Sequence, residues 1–231
     1  MPDLHQDRAR AQSFGELAAR YDRYRPSVAP ALVDELVALA PRRVLDVGCG
    51  TGKVAAALAA RGLDVLGIEI DPRMAALAPV PVEIAAFEDW DDRGRTFDLV
   101  TFGDSWHWID PERGEAKLAR VLAPGGVAVC FWNRHDVAEP LHSAFEAVYR
   151  RVAPDVPYIA PGVEEDAYEW DVTLDADAYV GLIGTYSAHR TLAPRQRDEL
   201  ERALRDAIVA HGGTITLRYR TVVSRSRAAP R

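Results

Sequence analysis

The 231-residue chain contains little cysteine, little methionine and almost no lysine. Cys49 and Cys130 are its only cysteines, too few and too far apart for the disulfide framework of a small secreted domain. Two free, buried thiols in a reducing compartment are expected. No apolar run approaches the roughly 20 residues needed to span a bilayer, and the charged N-terminal segment lacks the apolar core of a signal peptide. These absences point to a cytoplasmic protein with no membrane partner. A basic excess is missing too: 28 basic residues, all arginine except Lys53 and Lys117, are outnumbered by 35 acidic ones, for a net charge of −7. Such a surface repels the phosphate field of a nucleic acid, so none is expected as a partner. The one local basic run, Arg218 through Arg227 to Arg231, reads as a solvated last strand and terminus.

What is present is ordinary globular material, 48% hydrophobic and 27% charged, enough to bury the core of one large domain. From Val44 to Cys130, apolar runs alternate with helical stretches in the rhythm of βαβ units and a parallel sheet. Strands are expected at Arg43 to Val47, Asp64 to Ile70, Val82 to Ala86, Phe97 to Phe102 and Val127 to Trp132. Between them lie an alanine-rich helix, Val54 to Arg61, and two helices opened by Asp-Pro, at Asp71-Pro72 and Asp110-Pro111. Ala123-Pro124-Gly125-Gly126 is a turn. Ahead of this core the pattern predicts helices over Arg8 to Asp22 and Pro30 to Ala40. Behind it come a helix near Pro140 to Val152, an irregular proline-rich acidic stretch, a sixth strand at Trp170 to Leu174, and helices at Ala176 to Thr185 and Pro194 to Ala210. Thr214 to Ser224 alternates polar and apolar residues, as a strand with one wet face does.

The strongest chemical signal is Val44-Leu45-Asp46-Val47-Gly48-Cys49-Gly50-Thr51-Gly52, a strand running into a glycine-rich turn that opens a helix. In a doubly wound sheet that turn lies where backbone can approach a nucleotide-like ligand, provided side chains are absent. A phosphate-binding P-loop fails, because Val47 stands where its first glycine belongs and Val54 where Ser or Thr must follow Lys53. A dinucleotide fingerprint is met in relaxed form by Gly50, Gly52 and Ala55, with Glu69 placed to take ribose hydroxyls, so an NAD(P)-dependent reductase stays open. Asp46 favours a different ligand. A carboxylate two residues before the first glycine is unwelcome beside a pyrophosphate and stabilises a cation, which suits an adenosine ligand carrying ammonium and sulfonium groups.

This stretch resembles motif I of the class I S-adenosylmethionine-dependent methyltransferases. Val65-Leu66-Gly67-Ile68-Glu69-Ile70-Asp71 is similar to the acidic motif that follows it. Phe14 to Tyr21 with Tyr24, Arg25 and Pro26 resembles the N-terminal segment of the type 11 small-molecule group, which lids the cofactor. Asp98 to Phe102 followed by Trp106-His107-Trp108, and Arg120 to Gly126, are similar to later motifs of that group. The resemblance implies a doubly wound, mostly parallel seven-stranded α/β sheet (Rossmann-like) with helical cap elements and an antiparallel last strand. It implies S-adenosyl-L-methionine as cofactor, with backbone contacts from Gly48, Cys49, Gly50 and Gly52, ribose hydroxyls on Glu69 beside Ile70, and a carbonyl near Gly103 facing the amino group. Phe14 lies in the lid and Phe87 near the adenine. The family often places an acidic residue after the third strand, but Ala86 stands there, so Glu88 must take over. The chain then divides into an N-terminal lid (1–41), a cofactor-binding core (42–132), a cap insertion with helices (133–213) and a closing strand with tail (214–231).

Methyl transfer from a sulfonium needs alignment and exclusion of water, and a base only for a protonated acceptor. His107, after the fourth strand, is the candidate base or a wall of the acceptor pocket. Tyr21 and Tyr24 are candidates to position the acceptor or stack on the sulfonium. Arg25 either pairs with an acceptor carboxylate or is a solvated helix end. Trp106, Trp108 and Trp132 at strand ends suggest an apolar or aromatic small-molecule acceptor. His135, His142, His189 and His211 lack metal-ligand spacing, so no metal is expected. A non-catalytic protein that binds the same ligand remains the other alternative.

Overall fold

The structure is a computed structural model and describes residues 5, 13–156 and 167–228. Its centre is a seven-stranded sheet in the order β3-β2-β1-β4-β5-β7-β6. The strands are β1 (Val44–Val47), β2 (Val65–Glu69), β3 (Val82–Ile84), β4 (Phe97–Gly103), β5 (Leu122–Val137), β6 (Ala167–Asp175) and β7 (Thr214–Arg227). Pairs among the first five are parallel, while β7 runs antiparallel to both β5 and β6. Mostly parallel strands with this closing reversal make the Rossmann-like α/β fold that the resemblance implied.

The helices are α1 (Ala18–Tyr24), α2 (Pro30–Ala38), α3 (Lys53–Ala59), α4 (Pro72–Ala75), α5 (Pro111–Val121), α6 (Leu141–Val152), α7 (Ala176–Ile183), α8 (Ser187–Arg190) and α9 (Pro194–Ala210). Asp71 and Asp110 cap α4 and α5 as their Asp-Pro pairs imply, each carboxylate accepting a backbone N–H from the first turn. Where α1 was expected to begin at Arg8, Ser13–Leu17 winds as a 3₁₀ turn, and residues 8–12 lie outside those described. So does 157–166, most of the expected irregular stretch.

Two differences from expectation have clear causes. β5 continues five residues past Trp132, because Asn133 to Val137 pair with Leu217 to Thr221 of β7. Its sequence, Asn-Arg-His-Asp, disguises this: one face is wet and the other carries polar side chains that are bonded inside the protein. The Ala123 to Gly126 turn sits inside the β5 range as a bulge, since Leu122 pairs with Phe97 but Val127 with Leu99.

Core packing divides the sheet in two. β1, β4 and the first half of β5 are covered on both faces, by α2 and α3 over Val44, Leu99 and Val129, and by α5 over Val100 and Ala128. Their near-continuous apolar runs follow from that double burial. β7 is buried along one face only, with Ile215, Leu217 and Tyr219 against α6, α7 and α9, and Val223 in the core beside α2. Its opposite face carries exposed Thr216 and Arg218, beside Asp171 and Thr173 of β6. Both lysines serve the framework. Buried Lys117 on α5 donates to the Trp90 carbonyl and pairs with Asp92 at 2.9 Å, and Lys53 pairs with Asp22 of α1 at 3.6 Å.

The N-terminal segment is strapped across the carboxyl ends of the strands. Asp71 accepts the Gly15 N–H. Arg20 bonds the Val180 and Gly181 carbonyls at 3.0 and 3.1 Å and pairs with Glu201. Arg190 pairs with Glu16 at 2.9 Å. Behind the strap, Asn133 donates to the Ser27 carbonyl at 2.7 Å and accepts from buried Thr221 at 2.7 Å, fixing the chain just after Arg25.

Candidate active site

Under the strap, at the carboxyl ends of β1, β2 and β4, lies a cavity of about 360 Å³. This is where doubly wound sheets bind ligands. Of the residues singled out in the sequence, Phe14, Tyr21, Gly48, Gly50, Glu69, Ile70, Phe87, Glu88, Gly103 and His107 line it. Tyr24, Asp46, Cys49 and Gly52 do not.

The glycine loop explains itself physically. Gly48 adopts φ +65°, and a Cβ there would lie 2.6 Å from the Ser105 Cβ. Ser105 in turn donates its hydroxyl to the Val47 carbonyl at 2.6 Å, pinning the end of β1 to the chain after β4. The loop can therefore lie flat on its neighbour only without a side chain. Glu69 holds the loop from the other side. Its carboxylate accepts the N–H groups of Gly50 and Asp71, both at 2.9 Å, and that of Ile70. Burial pushes its pKa up, and those three backbone donors oppose the shift.

Asp46 is one layer below the cavity. Its carboxylate accepts the Thr101 hydroxyl at 2.8 Å and the N–H of Ala55 in the first turn of α3. That second bond is the cap Gly52 cannot supply, having no side chain. Burial raises Asp46 to about 6, against the two hydrogen bonds. The sequence argument placed it beside the ligand; the structure places it under the loop that would touch one. Cys49 faces Gly67 of β2, where its Sγ would lie 2.7 Å from a Cβ. Burial pushes its thiol well above the usual range. Gly52 abuts Ala78 and Pro79. Tyr24 lies against Gly181 of α7, because its ring points from α1 into the cap core while Tyr21, one turn earlier, points at the cavity.

The tryptophan expectation is corrected as well. Trp108 lines the cavity, packed edge-on against Phe14 at 6.1 Å. Trp106 packs on Phe102 at 4.8 Å, and neither it nor Trp132 reaches the cavity. Glu88 stands on the wall with one carboxylate oxygen accepting the Asp110 N–H at 2.8 Å.

At the inner end the cavity is walled by residues the motifs did not flag as a group. Arg25 is not a solvated helix end. It donates to the Thr185 hydroxyl at 2.8 Å and lies over the Tyr186 ring at 4.3 Å and the Tyr21 ring at 5.3 Å. Asp104 and Tyr186 line the same end. Behind Tyr186 sit His135, its Nδ1 3.4 Å from the Tyr186 hydroxyl, and His189, bonded to the Tyr149 hydroxyl at 2.8 Å. Burial, aided by the Arg25 charge, lowers both imidazoles to about 4, so they are neutral at pH 7. At this end the sequence singles out Arg25 and Tyr21 one by one, and does not single out Asp104.

A family model of the methyltransferase domain matches residues 21–207. The chain belongs to the class I, type 11-like S-adenosylmethionine-dependent methyltransferases. This methyltransferase is 32% identical over 235 residues to an uncharacterised methyltransferase of Mycobacterium tuberculosis, covering 94% of this chain and 96% of the relative. It is 30% identical over 143 residues to a ubiquinone biosynthesis O-methyltransferase of Dechloromonas aromatica, covering 53% of this chain and 62% of that one. A solved structure from Anaeromyxobacter dehalogenans, described as a candidate type II methyltransferase, superposes with a TM-score of 0.70 at 25% identity. That match covers 90% of this chain and all of the other (100%). The enzyme catalyses S-adenosylmethionine-dependent methyl transfer, and no helix among its described residues is long and apolar enough to cross a membrane.

Proposed function

We propose that S-adenosyl-L-methionine lies along the cavity with its ribose hydroxyls on Glu69, and that the enzyme methylates a small molecule in the cytoplasm. The residues present fit the group. The Glu69 carboxylate is an acceptor for a diol, held on the wall by the glycine loop it organises. That one observation carries the reading. Ile70, Phe87 and Met74 offer apolar faces for the adenine, with Glu88 as the acceptor for its amino group in place of Ala86. Gly48, Gly50 and Gly103 leave room for the methionyl part, and Phe14 and Tyr21 lie over it as a lid. A bound cofactor supplies an activated methyl group on a sulfonium. The chain's task is to orient that methyl, position the acceptor against it and exclude water. His107 and Trp108 wall the acceptor side, and His107 stands within the cavity as a positioning group or base.

In this reading residues 1–41 are the lid, 42–132 the cofactor-binding core, 133–213 the cap and 214–231 the closing strand. Calorimetric titration with S-adenosylhomocysteine tests it, with micromolar binding expected. A thermal shift with NAD or NADP and no binding of S-adenosylhomocysteine would sink it.

A further inference from the structure

We propose that Asp104 is the general base of this enzyme and that its acceptor is a weakly acidic hydroxyl compound, a phenol or an enol, received between Asp104 and Arg25. The inference rests on the methyltransferase reading above and assigns the other half of the same site. Asp104 lines the cavity directly after β4, in the left-handed region at φ +50°, its own N–H bonded to the Phe131 carbonyl at 2.9 Å. Non-glycine residues kept in that region collect at functional sites. Its carboxylate accepts the Asn133 N–H, and Arg25 and Arg134 lower its pKa, but burial outweighs them and raises it above the usual carboxylate value. Tyr21, Tyr186 and Tyr219 all feel its charge, and His107 shares the cavity wall.

Arg25 is the second member. Its Nε and one terminal nitrogen are committed to Thr185, and stacking on Tyr186 and Tyr21 fixes the guanidinium plane. No hydrogen bond joins it to Asp104 among the described residues. A base and a fixed cation that share one end of a cavity without neutralising each other can split the work on an O–H group. The acceptor proton passes to the Asp104 carboxylate, and the oxygen, its growing negative charge facing Arg25, bonds the methyl carbon. The carbon–sulfur bond breaks with its electron pair going to sulfur, which leaves as a neutral thioether. An amine acceptor would bring a cation against Arg25, and a carboxylate acceptor would need no base and would face Asp104. Flat aromatic walls at Tyr21, Tyr186 and Trp108 suit a ring-bearing hydroxyl compound.

The test uses the full chain, isotopically labelled S-adenosylmethionine and four probes: 1-naphthol, 4-nitrophenol, benzoate and benzylamine. Naphthol is expected to be methylated, and benzoate and benzylamine not. Asp104→Asn should slow naphthol turnover by about 100-fold or more and erase the rise of kcat/KM with pH. The same variant should leave 4-nitrophenol, already largely ionised, within about threefold, and the Kd for S-adenosylhomocysteine within about threefold. A Kd weakened about tenfold with turnover intact would make Asp104 a cofactor residue and overturn the proposal. Loss of the pH dependence in His107→Ala but not in Asp104→Asn would overturn it in favour of His107. Preferential methylation of benzylamine, or binding of S-adenosylhomocysteine with no hydroxyl probe methylated, would overturn the acceptor class while leaving the cofactor reading intact. Absence of S-adenosylhomocysteine binding would remove both.

Discussion

The two ends of the cavity are built by different means. Around Glu69 the wall is made from backbone: two motif segments meet, and three of their N–H groups converge on one carboxylate. Around Arg25 it is made from side chains delivered by distant elements, Arg25 after α1, Asp104 after β4 and Tyr186 before α8, tied by bonds such as Arg25 to Thr185. Backbone geometry tolerates changes of sequence outside the loop, so one end can stay constant while the other varies. The first end suits a ligand common to many enzymes and the second an acceptor particular to this one. Loss of contacts at the Glu69 end should therefore strike cofactor binding, and loss at the Arg25 end should strike acceptor use.

The largest effect is expected from Glu69→Ala. The substitution removes the acceptor of three backbone N–H groups and the proposed ribose partner at once, and hydrogen bonds to charged groups contribute roughly 1.5–3 kcal/mol each. S-adenosylhomocysteine should bind about 100-fold more weakly, or not measurably, in calorimetry. Binding weakened by less than about fivefold would mean that the Glu69 end is not where the cofactor is recognised.

Asp46 gives the next largest effect and tests whether it belongs to the ligand or to the scaffold. Its pKa is raised in the folded state to about 6 from 3.8. Its stabilising contribution is therefore fully present below pH 3.8 and is lost as the pH rises through about 6, on the order of 3 kcal/mol in all. Asp46→Asn keeps an acceptor for the Ala55 N–H and cannot ionise. Denaturant unfolding of the two proteins should show wild type losing stability relative to the variant between pH 4 and pH 7. A difference that stays flat across that range would show that Asp46 is not buried as described.

Gly48→Ala probes the loop itself, through the φ of +65° and the 2.6 Å approach to Ser105. A cost of about 1–3 kcal/mol is expected, read as a lowered denaturation midpoint. Wild-type stability in this variant would mean the loop can relax away from Ser105, and that its flatness is not enforced.

Legibility in the sequence followed the same division. The five core strands and the glycine loop could be read because each signal is contiguous: an apolar run, a turn residue, a capping Asp-Pro. Glu69 was legible for the same reason, lying at the end of a strand at fixed distance from the loop. Arg25, Asp104 and Tyr186 were not readable as a group, because only the β5–β7 pairing and the strap bring them together. The polar continuation of β5 hid that pairing, since Asn133 and His135 are half-buried polar residues whose partners, Ser27, Thr221 and Tyr186, lie far away in sequence. Asp46 marks an intermediate case: the sequence offered it as a partner for a cationic ligand, whereas its carboxylate is held by Thr101 and Ala55, because a strand's alternation does not reveal which carboxylate caps the next helix.

The smallest effect separates Tyr21 from Tyr24, which the sequence treated alike. Three residues apart on a helix surface they are neighbours, yet α1 rests on the boundary between cavity and cap, so a modest rotation along the helix changes which side each ring meets. Tyr21 lines the cavity with the Arg25 guanidinium over its ring, whereas Tyr24 fills the space that Gly181 leaves open on α7. Tyr24→Phe retains that ring and should leave both stability, within about 0.5 kcal/mol, and S-adenosylhomocysteine affinity unchanged. Tyr24→Ala should lower stability by about 3 kcal/mol through the cavity it opens against Gly181, without a matching change in ligand affinity for the fraction that remains folded. A Tyr24→Phe variant that bound the ligand several-fold more weakly would return the Tyr24 hydroxyl to the site and blur the line between the strap's two faces.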